Sequence, residues 1–237
     1  MTRVLIVDDH PLVAESIATA LGASGIVAGR ADPNGADPRE ALAEGSFDFC
    51  LVDLDWGHDA FSGVSFIEAV NDAGATCIIL TGTVHEPLFG YCLELGAAGV
   101  ITKQQSFREL VASIEVTIAG ESPNSDADKY RWLLEAHKAR DAHRRTLEPF
   151  MALTSAEAGV LSDLRAGLAV ADIADQRCVA VSTVRTHVRQ ILQKRQVNSQ
   201  LAAVAMARTA GWREHQPCVD TASAPALSSV LPMSPTA

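Results

Sequence analysis

The sequence predicts a doubly wound α/β domain built on a five-stranded parallel sheet, followed by a second, smaller all-α domain. Residues 1–120 alternate short apolar segments with amphipathic stretches, the order typical of a parallel sheet covered by helices on both faces. Residues 153–212 carry only helical patterns. At 237 residues the chain is long enough for two domains that each bury a core.

The elements of the first domain follow from apolar runs and from glycines that end helices. We predict strands at residues 4–7, 26–30, 49–52, 77–80 and 99–102. We predict helices at residues 12–21, 38–43, 64–70, 86–95 and 106–118. Gly22, Gly74 and Gly96 stand where three of these helices are expected to stop.

A linker follows the first domain. Ser122-Pro-Asn-Ser125 breaks the pattern, and residues 126–145 then predict a helix with Tyr130, Leu133, Leu134 and His137 on one face. Because this apolar stripe is short, we expect the helix to dock onto one of the domains rather than form a long coiled coil. The predicted division is residues 1–120, a linker at 121–150, a helical domain at 151–213 and a disordered tail at 214–237.

Charge is distributed unevenly along the chain, whose net charge is −10. Residues 1–120 hold 5 Lys/Arg against 17 Asp/Glu, whereas residues 153–213 hold 8 against 4. This asymmetry is expected when only the second domain meets a polyanion. The sequence has no apolar run of about 18 residues and no signal peptide, so we expect a cytoplasmic protein without a membrane partner. The five cysteines lack metal-type spacing and predict reduced thiols: Cys50, Cys77, Cys92, Cys178 and Cys218.

Polar side chains follow four of the predicted strands. Asp8 and Asp9 end the first strand, Asp53 the third and Thr81 the fourth, and Lys103 follows the fifth. In an open parallel sheet such residues gather at the carboxyl edge. Grouped carboxylates repel one another unless a cation lies among them, and their hard oxygens suit Mg²⁺. Asp53 is then a candidate nucleophile toward a phosphoryl donor, with Lys103 and Thr81 stabilising the transferred group.

The second domain carries a helix–turn–helix pattern. Thr154 and Glu157 form a capping box that begins its first helix, and Ile173 lies in a short second helix. In the next helix, Val184, Val188, Ile191 and Leu192 share one face. Arg185, Thr186 and Arg189 occupy the opposite face, a basic surface suited to the major groove of DNA.

Four segments in order resemble the motifs of response-regulator receivers, which have a flavodoxin-like fold. They are Val4-Leu-Ile-Val-Asp-Asp-His-Pro11, Leu51-Val-Asp-Leu54, Ile79-Leu-Thr-Gly82 and Gly96-Ala-Ala-Gly-Val-Ile-Thr-Lys103. The resemblance implies that Asp53 is the phosphoacceptor. It also implies that Asp9 and Asp53 bind the metal, that Asp8 acts through water and that Asp55 supplies its carbonyl.

Residues from Leu153 to Val197 resemble the LuxR-type helix–turn–helix, and the two domains together resemble the NarL/FixJ family. The resemblance implies that a final helix at residues 199–209 pairs two modules on DNA. The predicted DNA-binding residues are Thr183, Arg185, Thr186, Arg189 and Lys194.

Several positions depart from the family pattern, among them Arg185, where Lys is typical. Gly57 stands where a Pro is usual, and two extra residues separate it from Gly63. Val100 stands where an aromatic commonly reports phosphorylation, so the switching mechanism is open. Ala180 replaces a Ser at the start of the recognition helix, and we expect Ser182 to cap it instead.

These observations predict a transcription regulator, not an enzyme, that a sensor histidine kinase phosphorylates on Asp53 and that binds double-stranded promoter DNA as a homodimer. The alternative is an atypical DNA-binding regulator that responds to a ligand or acts without phosphorylation, favoured by Gly57 and Val100. A third reading, a phosphatase similar to haloacid dehalogenases, rests on Asp53-Leu-Asp55. It is disfavoured because that motif usually follows the first strand.

Overall fold

The computed structural model describes residues 1–35, 37–56 and 62–214, which divide into two compact units. The first extends from Met1 to Lys138 and the second begins at Ala139. Gly57, the tail beyond Glu214 and Cys218 lie outside the described residues, so the predictions made for them stay predictions.

The first unit contains a five-stranded, fully parallel sheet in the order β2-β1-β3-β4-β5. The strands are β1 (Arg3–Val7), β2 (Val27–Ala31), β3 (Phe49–Asp53), β4 (Thr76–Thr81) and β5 (Gly99–Thr102). Val7 pairs with Val52, and Val52 with Ile79, so the three central strands end at nearly the same level. The predicted fold class is confirmed.

Helices cover both faces of this sheet. They are α1 (Pro11–Ala23), α2 (Pro38–Glu44), α3 (Ile67–Asp72), α4 (Glu86–Glu94) and α5 (Phe107–Ile118), with a 3-10 helix (Ser62–Phe66) before α3. Alternate residues of β1 enter different cores: Leu5 lies in the core that includes Leu42 of α2, whereas Ile6 lies in the core formed with α1 and α5. Burial on both faces explains why the strands read as unbroken apolar runs.

Two helix boundaries differ from the predictions. Gly22 does not end α1, which continues to Ala23; the left-handed turn falls at Gly25, whose φ is +79°. The predicted helix at residues 64–70 begins as the 3-10 helix and becomes α-helical only at Ile67. Gly74 and Gly96 do adopt the positive φ that ends a helix.

The linker helix α6 (Asp126–Leu147) exists, but the predicted apolar face was wrong. Tyr130 is 71% exposed, and Leu134 is also exposed. The buried apolar positions are instead Trp132 and Ala136, four residues apart, and His143 is buried further along the helix. Trp132 is a large apolar side chain that is only 8% exposed, so its burial determines which face of α6 docks. The expected docking onto a domain is confirmed for the first half of α6, which packs on α4.

Among the described residues of the second unit, every regular element is a helix. A 3-10 helix (Glu148–Ala152) leads into α7 (Ser155–Ala166), α8 (Val170–Gln176), α9 (Val181–Arg195) and α10 (Gln200–Thr209). These helices share a core that includes Leu161, Ile173, Val184, Ile191 and Trp212.

The predicted capping box of α7 is confirmed, because Thr154 and Glu157 bond each other's backbone N–H groups. The prediction that Ser182 caps α9 was wrong. The helix begins at Val181, its N-cap is Ala180, and no side chain caps it. No helix in the described ranges is both long and apolar enough to cross a bilayer.

Candidate functional site

The central strands bring the predicted carboxylates to one edge of the sheet. Asp53 is the last residue of β3, and Asp8 directly follows β1, the strand beside it. Both side chains are buried, although each ends in a carboxylate. Burying two carboxylates side by side is unfavourable unless a cation compensates them.

Lys103 supplies that compensation. Its Nζ lies 2.7 Å from Asp8 Oδ2 and 2.8 Å from Asp53 Oδ2, so one ammonium group bridges both acids. Its backbone N–H donates to the carbonyl of Thr81 at 2.7 Å, which anchors the segment after β5 to the end of β4. The structure therefore brings together three residues that lie 45 to 95 positions apart in the sequence.

The environment shifts two pKa values at this edge. Burial raises the pKa of Asp53, and this outweighs the opposing effects of the hydrogen bond and charge of Lys103. Burial works against the charged form of Lys103, but its hydrogen bonds to Asp53 and Asp8 and their charges together raise its pKa. Lys103 is therefore a cation at neutral pH, facing the oxygens of Asp53.

The carboxylates also form a group that suits a divalent cation. Potential ligand atoms of Asp8, Asp9, His10 and Asp53 lie within 4.8 Å of one another. His10 was not among the site residues predicted from the sequence; its Nδ1 lies 2.8 Å from Asp9 Oδ1. Its position directly after two aspartates was the available signal.

Asp55 and Thr81 are engaged by the loop that follows β4. Thr83 Oγ1 donates to Asp55 Oδ2 at 3.1 Å, so the Asp55 carboxylate is turned toward Thr83. The backbone N–H of Thr83 donates to Thr81 Oγ1 at 3.0 Å. The hydroxyl of Thr81 thus contacts the loop that leads into α4. If this hydroxyl bonded another group instead, the loop would lose the contact.

In the second unit, α9 presents the predicted polar face. Thr183, Arg185, Thr186 and Arg189 are exposed, whereas Val184 is buried in the core. The hydroxyl of Thr186 donates to the carbonyl of Ser182 at 2.9 Å, within the helix itself. Two arginines four residues apart therefore project from one open face.

Lys194 lies in a different environment. Its Nζ donates to Glu157 Oε2 at 2.7 Å and to the carbonyl of Ala152 at 3.0 Å. Glu157 is itself buried, and it receives the N–H of Thr154. Lys194 thus ties α9 to the start of α7, an internal contact that the sequence did not reveal.

Comparison with known proteins identifies both units. The family described as "Response regulator receiver domain" matches residues 4–115, and the family "Bacterial regulatory proteins, luxR family" matches residues 151–207. The "Probable transcriptional regulatory protein NarL" of Mycobacterium tuberculosis is 31% identical over 209 residues, covering 86% of this chain and 93% of that protein. The chain belongs to the NarL/FixJ family of response regulators.

Two further proteins are similar to this chain. The "Nitrate/nitrite response regulator protein NarP" of Escherichia coli is 29% identical and covers 86% of this chain and 93% of its own length. A solved LuxR-family two-component response regulator from Aurantimonas sp. SI85-9A1 is 26% identical, with a TM-score of 0.47, over 57% of this chain and 98% of that one. The matched relatives are regulators rather than enzymes, and this chain is a response regulator with a receiver domain and a LuxR-type DNA-binding domain.

Proposed function

We propose that a partner histidine kinase phosphorylates Asp53 and thereby controls binding of the chain, as a homodimer, to promoter DNA in the cytoplasm. In this proposal residues 1–120 receive the signal, residues 121–150 link the domains and residues 151–213 bind DNA. The observation that carries it is the bridge from Lys103 to Asp53 and Asp8, at 2.8 and 2.7 Å. A buried acid with an ammonium group beside its oxygen is suited to accept a phosphoryl group and to neutralise it.

The chemistry assigns a task to each residue. An oxygen of Asp53 would form the new P–O bond as the P–N bond to the histidine of the kinase breaks, and the leaving imidazole nitrogen would take up a proton from solvent. Lys103 would pair with a phosphoryl oxygen, and the Thr81 hydroxyl would donate to another. Asp8, Asp9 and Asp53 would hold Mg²⁺ together with the carbonyl of Asp55. When bound, the metal would neutralise charge on the transferring oxygens.

DNA binding is assigned to the open face of α9. Arg185 and Arg189 would contact guanine edges or phosphates, and Thr183 and Thr186 would lie close to the groove. Lys194 was predicted to join them. Its ion pair with Glu157 supports an indirect contribution, in which Lys194 holds α9 in position. A direct contact from Lys194 to DNA would require that ion pair to break. Two copies pairing through α10 would engage two half-sites.

The first test is phosphorylation of the full chain by acetyl phosphate with Mg²⁺, read by intact mass. Wild type should gain one phosphoryl group, and Asp53→Asn should gain none. Asp72→Asn is the matched control, because it makes the same change at an exposed residue of α3; it should still be labelled. Labelling of Asp53→Asn, or none of wild type, would contradict the proposal.

The second test measures binding to genomic DNA fragments at several salt concentrations. Arg185→Gln and Arg189→Gln should each weaken binding by about 1–3 kcal/mol if they read bases, or reduce the salt slope by about one if they contact phosphate. Arg213→Gln removes the same charge outside α9 and serves as the control. Equal effects of all three variants would argue against α9 as the recognition helix.

The alternative regulator, independent of phosphate, is favoured by one observation. Val100 is buried at the position where the family commonly has a mobile aromatic, and a β-branched side chain cannot make that swing. Labelled and unlabelled protein would then bind DNA equally well. If phosphorylated wild type binds more tightly than the unlabelled protein, this alternative is excluded.

A further inference from the structure

The segment after the receiver holds the outer edge of its sheet. The side-chain amide of Asn124 donates to the carbonyl of Val100 at 2.7 Å, and its oxygen accepts the N–H of Val100 at 2.8 Å. The Asn124 side chain thus makes the two hydrogen bonds that a neighbouring strand would make. A Cβ on Gly99 would lie 2.5 Å from Pro123, so this residue also permits the close approach.

The same segment also packs closely against α4. The ring of Trp132 meets that of Phe89 edge to face, with centroids 5.1 Å apart. A Cβ on Gly90 would lie 2.1 Å from the carbonyl oxygen of Trp132, so only glycine admits the linker helix at this distance. Arg131 Nε donates to Glu86 Oε1 at 2.9 Å on the exposed rim. We call residues 123–132 the linker clamp.

The two elements held by the linker clamp are those attached to the groups that would meet the phosphate. Helix α4 begins five residues after Thr81, and Lys103 directly follows β5. A phosphoryl group on Asp53 would take new hydrogen bonds from Thr81 and Lys103, which now contact the Thr83 loop and the two acids. Helix α4 and strand β5, the two elements that the linker clamp holds, would then move away from the positions that fit the clamp closely.

Trp132 connects the linker helix directly to the buried cluster beside α4 and β5. Val100 and Trp132 lie in one buried cluster together with Phe89. The large aromatic at this corner therefore belongs to the linker helix rather than to β5. A shift of α4 changes the packing of α6 directly, and that helix continues as one element to Leu147, where the second unit has begun.

We propose that the linker clamp is released by phosphorylation of Asp53, so that the start of α6 is held tightly in the resting state and loosely in the phosphorylated one. The inference rests on the proposed function, since it needs Asp53 to accept a phosphoryl group. Coupling between two sites is reciprocal, so loosening the clamp must also favour phosphorylation.

The experiment follows hydrogen–deuterium exchange in the full chain with Mg²⁺, before and after labelling by acetyl phosphate, with the labelled fraction read by intact mass. Amides at residues 126–136 should exchange faster in the labelled protein by at least about fivefold, the lower end of typical couplings. Peptides of α7 should be unchanged. Labelling without faster exchange at residues 126–136 would overturn the inference and leave the proposed function standing. Failure to label Asp53 would overturn both.

Reciprocity is tested with clamp variants that leave the phosphate-binding groups intact. Asn124→Ala and the milder Trp132→Phe should speed exchange in the unlabelled chain and raise the labelled fraction at limiting acetyl phosphate. Tyr130→Ala, at an exposed position of the same helix, is the control and should change neither. Circular dichroism verifies that each variant is folded. Faster exchange with an unchanged labelled fraction would show a contact that is only structural and would overturn the coupling.

Discussion

Lys103 determines whether two buried carboxylates are tolerated. Removing one partner of a buried ion pair costs about 3–5 kcal/mol, because it leaves uncompensated charge in the interior. We expect Lys103→Met to lower the free energy of unfolding by this order in EDTA at pH 7. Added Mg²⁺ should restore part of it by lying among the same acids.

Urea denaturation of the full chain with and without Mg²⁺ measures this effect. Lys138→Met is the control, because the ion pair of Lys138 with Glu135 is largely exposed and contributes little. The expectation fails if both variants lose the same stability, or if Mg²⁺ rescues neither.

Glu157 makes the second unit sensitive to acid. Burial alone would raise the pKa of Glu157, but hydrogen bonds from Lys194 and Thr154 and the charge of Lys194 hold it below its ordinary value of 4.5. Because the folded pKa is the lower one, the stabilisation is complete above about pH 4.5 and is lost as the pH falls through the folded pKa. Unfolding of the second unit should therefore become easier below this pH.

Glu157→Gln tests that expectation. It should lower stability at pH 7 by about 1–3 kcal/mol, since it removes a charged hydrogen bond to Lys194, and it should weaken the dependence between pH 5 and 3. Urea midpoints at several pH values give the result. Glu135→Gln is the matched control. A pH profile that stays parallel to that of wild type would show that Glu157 does not cause the dependence.

At the level of single residues, the sequence predicted the acids and Lys103 at the sheet edge because strand ends converge there in any parallel sheet. The pairing of Lys194 with Glu157 was not predictable in the same way. The two residues are 37 positions apart, on helices whose packing no local pattern specifies. From the sequence alone, a basic residue on a recognition helix can equally be a DNA contact or the partner in an ion pair within the domain.

Among the elements, two glycines in helices have opposite surroundings. A Cβ on Gly90 meets the backbone of Trp132 at 2.1 Å, whereas one on Gly22 in α1 meets nothing within 4 Å. Gly22→Ala should stabilise by about 0.5–1 kcal/mol through helix propensity. Gly90→Ala gains the same propensity but forces α6 away, and we expect a net loss of about 1–3 kcal/mol.

Thermal denaturation of both variants decides this point. The same substitution in two helices separates the effect of propensity from that of the helix contact. If Gly90→Ala also stabilises the receiver, α6 does not pack on α4 as closely as described.

The elements themselves were predicted to within two residues at most ends, because strands buried on both faces and glycine stops are local signals. The docking face of α6 was not predicted. Its sequence is largely polar, and the choice between a stripe through Tyr130 and one through Trp132 depends on the partner surface of α4. That surface is shaped by Gly90, which carries no signal in a hydropathy pattern.

In the whole molecule, the described residues form separate hydrophobic cores. The core around Leu161 shares no residue with those on the two faces of the sheet. Calorimetry should therefore show two transitions. Leu161→Ala, which truncates a fully buried side chain, should lower the free energy of unfolding of the second unit by about 2–5 kcal/mol and shift only its transition. Leu51→Ala should shift only the other transition, and a single transition moved by both variants would show one cooperative unit.

The two-domain organisation was predictable because composition, charge and periodicity all change near residue 120. The sequence predicted a linker at residues 121–150 but no exact point of division within it. The division falls inside α6, between Lys138 and Ala139, since the first part of that helix contributes Trp132 to the core of the receiver. A helix that belongs to two units has no break in its sequence to mark the division.

The hydrogen bonds from Asn124 to Val100 have a consequence for solubility. Strand β5 ends the described sheet, and an open strand edge is a template on which other chains can add strands and aggregate. Asn124 satisfies the outward backbone groups of that strand at its centre, and Pro123 covers Gly99 beside it. A receiver cut after residue 120 would lose this seal, so the stretch that joins the domains also protects the sheet from self-association.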